Sequence, residues 1–337
     1  MPKTVDFEAI ENVKAHLKPF KNKFQKDLFQ INEIFHNQLS SSEAKITQVS
    51  NWIKKSPGKQ LRPILTLLSA EAFGEINEEV YTYAAAIEMI HNASLIHDDI
   101  LDDSAFRRGN PTPHQLWGTK DAILLGDFLF SCGYRLVLKT SDTECQDDLP
   151  RVASKMCESE LLQSDSKFCN SPSLERYYHI IDGKTAFLFG ISAGAGCRLA
   201  GGSKAQKDLM EQCGNLVGRA FQIMDDWLDF SKYGEIDNKP RGADISSGIF
   251  TLPTILLLNQ CNQSEKEKLE LLLNSGTPSG LGNPLIDELT QKYSISKKIF
   301  QITSEILNQS EELLLQANPK GNLENIKAFL HSISSTT

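Results

Sequence analysis

The apolar residues of this chain recur at intervals of three and four in segment after segment, and strand-like alternation is scarce. That spacing puts them on one face of an α-helix, whereas a half-buried strand needs a period of two. The pattern predicts helices over 63–73, 79–102, 121–139, 148–163, 174–200, 206–231, 252–260, 263–273, 284–292, 296–316 and 322–334, with two more amphipathic stretches around 6–17 and 22–50. Pro63 suits a first helical turn, where its missing N–H has no partner anyway. Gly and Pro gather in the breaks at 104–120, 231–251 and 275–284. No repeat of fixed period and no interdomain linker is visible. The expected fold is therefore all-α: one domain over 51–337, preceded by a helical extension over 1–50 that packs on the core or on a partner copy.

Composition narrows the function. The 337 residues include 35 basic and 43 acidic side chains, a net charge of −8, where a generalist nucleic-acid binder carries a basic excess. No apolar run approaches the ~18–20 residues of a spanning helix. The first twenty residues hold Asp6, Glu8 and Glu11 and lack the apolar stretch of a signal peptide. The seven cysteines form no CxxC pair, so they read as thiols in a reducing, cytoplasmic setting, without clustered zinc ligands.

The chemistry begins at His97-Asp98-Asp99-Ile100-Leu101-Asp102-Asp103, inside an otherwise apolar helix. Asp98 and Asp102, at i and i+4, project from one face. Two bare carboxylates about 6 Å apart repel by roughly 3 kcal/mol at an effective dielectric of about 20. Nothing in this predicted helix offers a Lys or Arg to neutralise them. A hard divalent cation resolves the conflict, and Mg²⁺ suits one or two carboxylates plus ligand phosphates. The pattern recurs at Asp225-Asp226-Trp227-Leu228-Asp229, again with Asp225 and Asp229 at i and i+4. One such motif is most often a solvated acidic face. Two, each in an apolar helix, point to a shared metal site.

Cations stand near both motifs. Lys59 and Arg62 lie at a predicted helix mouth, where the helix dipole also favours phosphate. Arg107 and Arg108 follow the first motif, and Lys239 and Arg241 follow the second. Gly183-Lys184-Thr185 interrupts an apolar helical stretch. Each cluster alone reads as a surface pair. Together they describe a pocket for two polyphosphate groups and several Mg²⁺ ions.

The ordered set GKQLRP (58–63), HDDILDD (97–103), FRRG (106–109), GDFLF (126–130), GKTA (183–186), FQIMDDWLD (221–229), KPRGAD (239–244) and TLP (251–253) resembles the trans-isoprenyl diphosphate synthases, the polyprenyl synthetase family. The resemblance covers roughly residues 55–260. It implies an all-α, isoprenoid-synthase-type helical bundle around a central cavity, usually a homodimer. The implied reaction is head-to-tail transfer of an allylic prenyl group onto isopentenyl diphosphate. By the same resemblance Asp98 and Asp102 hold two Mg²⁺ ions and Asp225 a third, with Asp229 in support. Arg107, Lys184 and Lys239 would grip the allylic diphosphate. Lys59, Arg62, His91 and Arg108 would grip isopentenyl diphosphate. Thr185 and Gln222 would face the allylic cation. His91 otherwise reads equally well as a partly buried histidine.

Two departures stand out. Pro57 and Gln60 replace a Gly and an Arg of the family's GGKRxRP, and Ile249 replaces the lysine of GKxTLP. One charge-assisted hydrogen bond is worth about 1.5–3 kcal/mol, roughly ten- to a hundred-fold in affinity. Lys232, Lys239 or Arg241 could compensate. The product tail is expected to grow along the helix that carries Asp98. Short-chain members of the family place bulky aromatics four and five residues before that aspartate, whereas this chain has Ser94 and Ala93, with Met89 a turn further on. A helical turn of ~5.4 Å is about one isoprene unit, so a product longer than farnesyl diphosphate is expected, of the long-chain polyprenyl type. Small residues here also permit close helix packing, which would leave a geranylgeranyl product. The departures keep open a regulatory, non-catalytic subunit of a heteromeric synthase. A terpene cyclase fits less well, because DDWLD is not the second metal motif of that class. A long apolar product also suggests transient membrane contact during release.

Overall fold

The computed structural model describes residues 17–40, 43–55, 58–169, 172–231, 243–274 and 283–334. Helical residues 17–23 (α1) lead into α2 (Gln25–Gln38), α3 (Ala44–Lys55), α4 (Leu61–Phe73) and α5 (Glu78–Leu101). A two-stranded hairpin, β1 (Phe106–Arg107) with β2 (Asn110–Pro111), precedes α6 (Pro113–Trp117), α7 (Thr119–Val137) and α8 (Thr143–Ser164). Then come α9 (Leu174–Ile181), a π-helical turn (Asp182–Ala186), α10 (Phe187–Leu199) and α11 (Lys204–Phe230). The rest is α12 (Ala243–Ser246), α13 (Leu252–Gln260), α14 (Gln263–Asn274), α15 (Pro284–Lys292), α16 (Ile295–Gln316) and α17 (Glu324–Ser334). The expected all-α class holds among the described residues.

Two long helices organise the molecule. The Asn77 side chain caps α5 by accepting from the N–H groups of Glu79 and Val80, and Glu78 and Glu79 complement the helix dipole. From Val80 to Ile96 most of α5 is buried, against α7, α2 and α4. Ser203 and Gln206 form a capping box that starts α11. α11 packs on α10 and α16. The α10 contact is close because a Cβ on Gly214 would come 2.5 Å from the Phe189 carbonyl oxygen.

The stretch 22–50 is two helices, α2 and α3. Ser40 lies at the break, and serine competes with the helix for backbone hydrogen bonds. Leu17, Phe20, Phe24, Leu28, Ile31 and Phe35 are buried in the main core, and Phe20 meets Phe329 of α17 edge-on at 5.6 Å. The stretch 174–200 is likewise divided, by the π-helical turn. Residues 6–16 and most of the breaks at 231–251 and 275–284 lie outside the described residues.

The N-terminal parts of α5, α8 and α11 meet in a buried polar cluster. Tyr83 Oη donates to Cys145 O at 3.2 Å and to Asp148 Oδ2 at 3.3 Å. Lys207 Nζ lies 3.2 Å from Asp148 Oδ2 and also bonds Glu211. Burial pushes the Asp148 carboxyl up to about 6, although Lys207 favours its charge. The aspartate motifs occupy the opposite, C-terminal ends of α5 and α11.

Candidate active site

The π-helical turn stands between the two motifs. A Cβ on Gly183 would lie 2.0 Å from Ser159 Oγ and 2.9 Å from the Lys155 carbonyl oxygen, so glycine lets the turn press onto α8. The next two side chains diverge. Lys184 Nζ pairs with Glu160 of α8 at 2.5 Å. Burial opposes its charge, but Asp98, Glu160 and Asp102 outweigh burial and raise its pKa. Thr185 Oγ1 instead donates to Gln222 Oε1 of α11 at 2.6 Å.

Asp98 is half-buried on the last turn of α5, and Asp102, which caps that helix, is exposed. Burial pushes the Asp98 carboxyl up to about 6, with Glu160 and Asp102 adding to the effect and Lys184 and Arg107 opposing it. Asp99 between them is wholly buried and accepts from Arg107 Nε on both oxygens at 2.8 Å. That bond anchors Arg107 beside Asp98 and Asp102, whose charges help raise its pKa against burial.

On α11 Asp225 is exposed, Asp229 half-buried and Asp226 buried. Asp226 accepts from Tyr177 Oη at 2.6 Å and from Gln222 Nε2 at 2.8 Å. Burial, with Asp225 and Asp229, pushes it up to about 7. The Asp244 N–H donates to Asp229 Oδ2 at 3.4 Å. Burial, reinforced by Asp226, Asp229 and Asp225, holds the Asp244 carboxyl well above the usual range, partly offset by Lys184.

Among the described residues no group of His, Cys, Asp and Glu stands in a ready-made coordination shell. The donors around the turn are carboxylate oxygens whose charges oppose one another. Such a set fits a hard cation, which would relieve that repulsion.

A cationic pocket adjoins the first motif. Arg62 lies 4.6 Å over the Phe189 ring. Burial, helped by Arg108, pushes its pKa down to about 10 against the pull of Glu88 and Asp98, and its buried Nε has no hydrogen-bond partner. Lys59 Nζ is 5.9 Å from the Phe221 ring. The Arg108 guanidinium occupies the space a Gly58 Cβ would take, 2.5 Å from Nη1, and Gly58 has φ +70°. Burial, then Arg62, Arg108 and Arg107, hold His91 well below its ordinary pKa, so it is neutral near pH 7. Two members carry no sequence motif. Lys21 of α1 donates to Gly58 O at 3.2 Å, and Glu88 is a buried counter-charge to Arg62 and Arg108. Only their hydrophilicity on otherwise buried helix faces marks them in the sequence.

Gln60 brings no charge to this pocket. Its Nε2 donates to Asn32 Oδ1 at 2.9 Å, tying the loop to α2. Ile249 is half-buried, and its N–H donates to Asp244 O at 2.8 Å. Met89, Ala93 and Ser94 are buried on α5. Lys239, with Pro57, Lys232 and Arg241, lies outside the described residues. Asp99, Glu160, Tyr177, Asp226 and Asp244 join the site without having been singled out as candidates, although three of them lie inside the recognised motifs.

The family model described as polyprenyl synthetase matches residues 43–280. A short chain isoprenyl diphosphate synthase of Methanothermobacter thermautotrophicus is 34% identical over 273 residues, 80% of this chain and 83% of that protein. An all-trans-nonaprenyl-diphosphate synthase of Rhodobacter capsulatus is 32% identical over 256 residues, 76% of this chain and 78% of its own length. The crystal structure of a polyprenyl synthase from Caulobacter crescentus, complexed with calcium and isoprenyl diphosphate, superposes with a TM-score of 0.86 at 27% identity, covering 95% of this chain and 96% of that one. No helix among the described residues is long and apolar enough to cross a membrane. Matches of this extent, in sequence and in fold, allow one assignment: the chain belongs to the polyprenyl synthetase family and is a prenyltransferase of the trans-prenyl diphosphate synthase class.

Proposed function

We propose that this enzyme condenses isopentenyl diphosphate head-to-tail with farnesyl or geranylgeranyl diphosphate to give a trans-prenyl diphosphate longer than farnesyl. The observation that carries this reading is the position of Lys184, close to Asp98 and Asp102 on one side and to Asp244 on the other, with the cationic pocket beside Asp98. Arg107, Lys184 and Lys239 grip the allylic diphosphate; Lys59, Arg62, His91 and Arg108 grip isopentenyl diphosphate. Neutral His91 serves as a hydrogen-bonding group rather than a charge. Asp98 and Asp102 would hold two Mg²⁺ ions and Asp225 a third, with Asp229 in support. When bound, the ions neutralise charge developing on the departing pyrophosphate.

In the reaction the allylic C1–O bond breaks and its electron pair leaves with pyrophosphate. The double bond of isopentenyl diphosphate supplies the pair for the new C–C bond, and loss of a proton to the released pyrophosphate restores a double bond. Thr185 and Gln222 orient the reacting carbons, a proximity effect.

Ala93 and Ser94, small and buried, leave the face above Met89 without an aromatic plug. This supports a tail that runs down α5 and the long-chain product expected from the sequence. Residues 51–337 form the catalytic domain, and α1 and α2 of the extension share its core. The exposed side chains Leu101, Phe106, Leu116, Ile123 and Leu124, on α5, β1, α6 and α7, support a homodimer. An apolar product of this length calls for transient membrane contact on release.

The test is incubation with Mg²⁺, labelled isopentenyl diphosphate and farnesyl diphosphate, followed by separation of products by length, beside an Asp98→Ala control. A ladder beyond geranylgeranyl that the control lacks supports the reading. A single geranylgeranyl product keeps the enzyme and overturns the open face. No product, with farnesyl and geranylgeranyl diphosphate both tried as primers, favours a non-catalytic subunit, the alternative that Ile249 raises.

A further inference from the structure

One hydrogen-bonded chain in the site has a direction. Tyr177 Oη donates to Asp226 Oδ2 at 2.6 Å, Gln222 Nε2 donates to Asp226 Oδ1 at 2.8 Å, and Thr185 Oγ1 donates to Gln222 Oε1 at 2.6 Å. Tyr177, Asp226 and Thr185 are buried, so water does not compete for these bonds. An ionised carboxylate only accepts, and Asp226 faces two donors here, while an amide donates at one end and accepts at the other. With its NH₂ group committed to Asp226, Gln222 offers Thr185 an acceptor. The single hydroxyl hydrogen of Thr185 is spent on that acceptor, and the lone pairs of Oγ1 are what remains for the pocket. With Gln222 flipped, Thr185 would accept from the amide and turn its hydrogen outward, the wrong polarity for a positive centre. Tyr177, on α9, holds the second oxygen of Asp226 and fixes the carboxylate plane.

We propose that Tyr177 and Asp226 are positioning residues that set the hydrogen-bond direction of the Gln222–Thr185 pair, so that Thr185 Oγ1 presents lone pairs to the allylic carbon as its C–O bond to diphosphate breaks. This rests on the function proposed above, in which Thr185 faces the allylic group. The chain stabilises charge that exists only after ionisation, so it acts on kcat and leaves ground-state binding alone.

The test is a double-mutant cycle on the full-length enzyme with Mg²⁺, farnesyl diphosphate and isopentenyl diphosphate. Tyr177→Phe keeps the ring and its packing; it is expected to lower kcat about five- to tenfold, the worth of one buried hydrogen bond, with both KM values unchanged. Thr185→Val is expected to lose more, and Thr185→Ser to recover most of that loss. Tyr177→Phe added to Thr185→Val should cost nothing further, because both act through one oxygen. Additive losses in the double variant, or a Tyr177→Phe effect confined to KM, would overturn the proposal. Wild-type enzyme without any prenyl product would overturn the proposed function itself, and the positioning role with it.

Discussion

The Arg107 guanidinium spans both carboxylate oxygens of Asp99, with Nε 2.8 Å from each and Nη2 2.7 Å from Oδ1, at a position where Asp99 has no solvent exposure. Asp102, three residues on, is exposed. The two aspartates of one motif are therefore expected to fail differently. Asp99→Ala leaves a largely buried guanidinium without its partner and should cost about 3–5 kcal/mol of stability. Asp102→Ala should stay within about 0.5 kcal/mol of wild type and lose activity instead. Urea unfolding curves beside turnover assays separate the two, and equal destabilisation would contradict the geometry.

Ile249 stands where the family carries a lysine, bonded through its N–H to the carbonyl of Asp244, whose carboxyl faces Asp225, Asp226 and Asp229. A cation there would meet an excess of negative charge and an allylic diphosphate. Ile249→Lys is expected to tighten KM for the allylic substrate by roughly tenfold, one charge-assisted hydrogen bond. KM for isopentenyl diphosphate should not move. Steady-state kinetics with each substrate varied in turn decide it.

Ala93 is fully buried on α5, five residues before Asp98. Phenylalanine at this position would project a ring into the space assigned to the growing tail. The product ladder of Ala93→Phe is expected to stop at farnesyl diphosphate when geranyl diphosphate is the primer. An unchanged ladder would mean that the tail runs elsewhere.

The pH dependence of folding has a definite sign. Asp148 titrates near 6 in the folded protein, because burial outweighs Lys207, and near 3.9 when unfolded. Between these values the folded state binds more protons, so stability falls as pH rises from about 4 to about 6. Asp98 and Asp226, also raised, act in the same direction. Asp148 faces Lys207, Arg151, Glu211, Tyr83 and Cys145, and Asp148→Asn keeps its shape. Guanidinium midpoints measured across this range should show a shallower decline in Asp148→Asn than in wild type.

Helix positions were legible because apolar spacing reports burial directly, as along α5 and α11. The aspartate motifs were legible because carboxylates in apolar helices are conspicuous. Local spacing could not show which aspartate meets which cation. Asp99 reads like Asp98 until the hairpin brings Arg107 back across it, and Glu160 looks like any helix-surface acid until Lys184 arrives from the π-helical turn. Lys21 lies 38 residues before Lys59 and joins it only through the packing of α1. Gln60 looked like a lost charge and is a tether to Asn32, a difference that only tertiary contact reveals.

The π-helical turn has one residue more than an α-helix would use to cover the same rise, and both Lys184 and Thr185 lie within it. Chain length is thus as much a specification of this segment as residue identity. A single-residue deletion within 182–186 would let the backbone relax into regular α-helix, removing the bulge while leaving α10 in phase with α9.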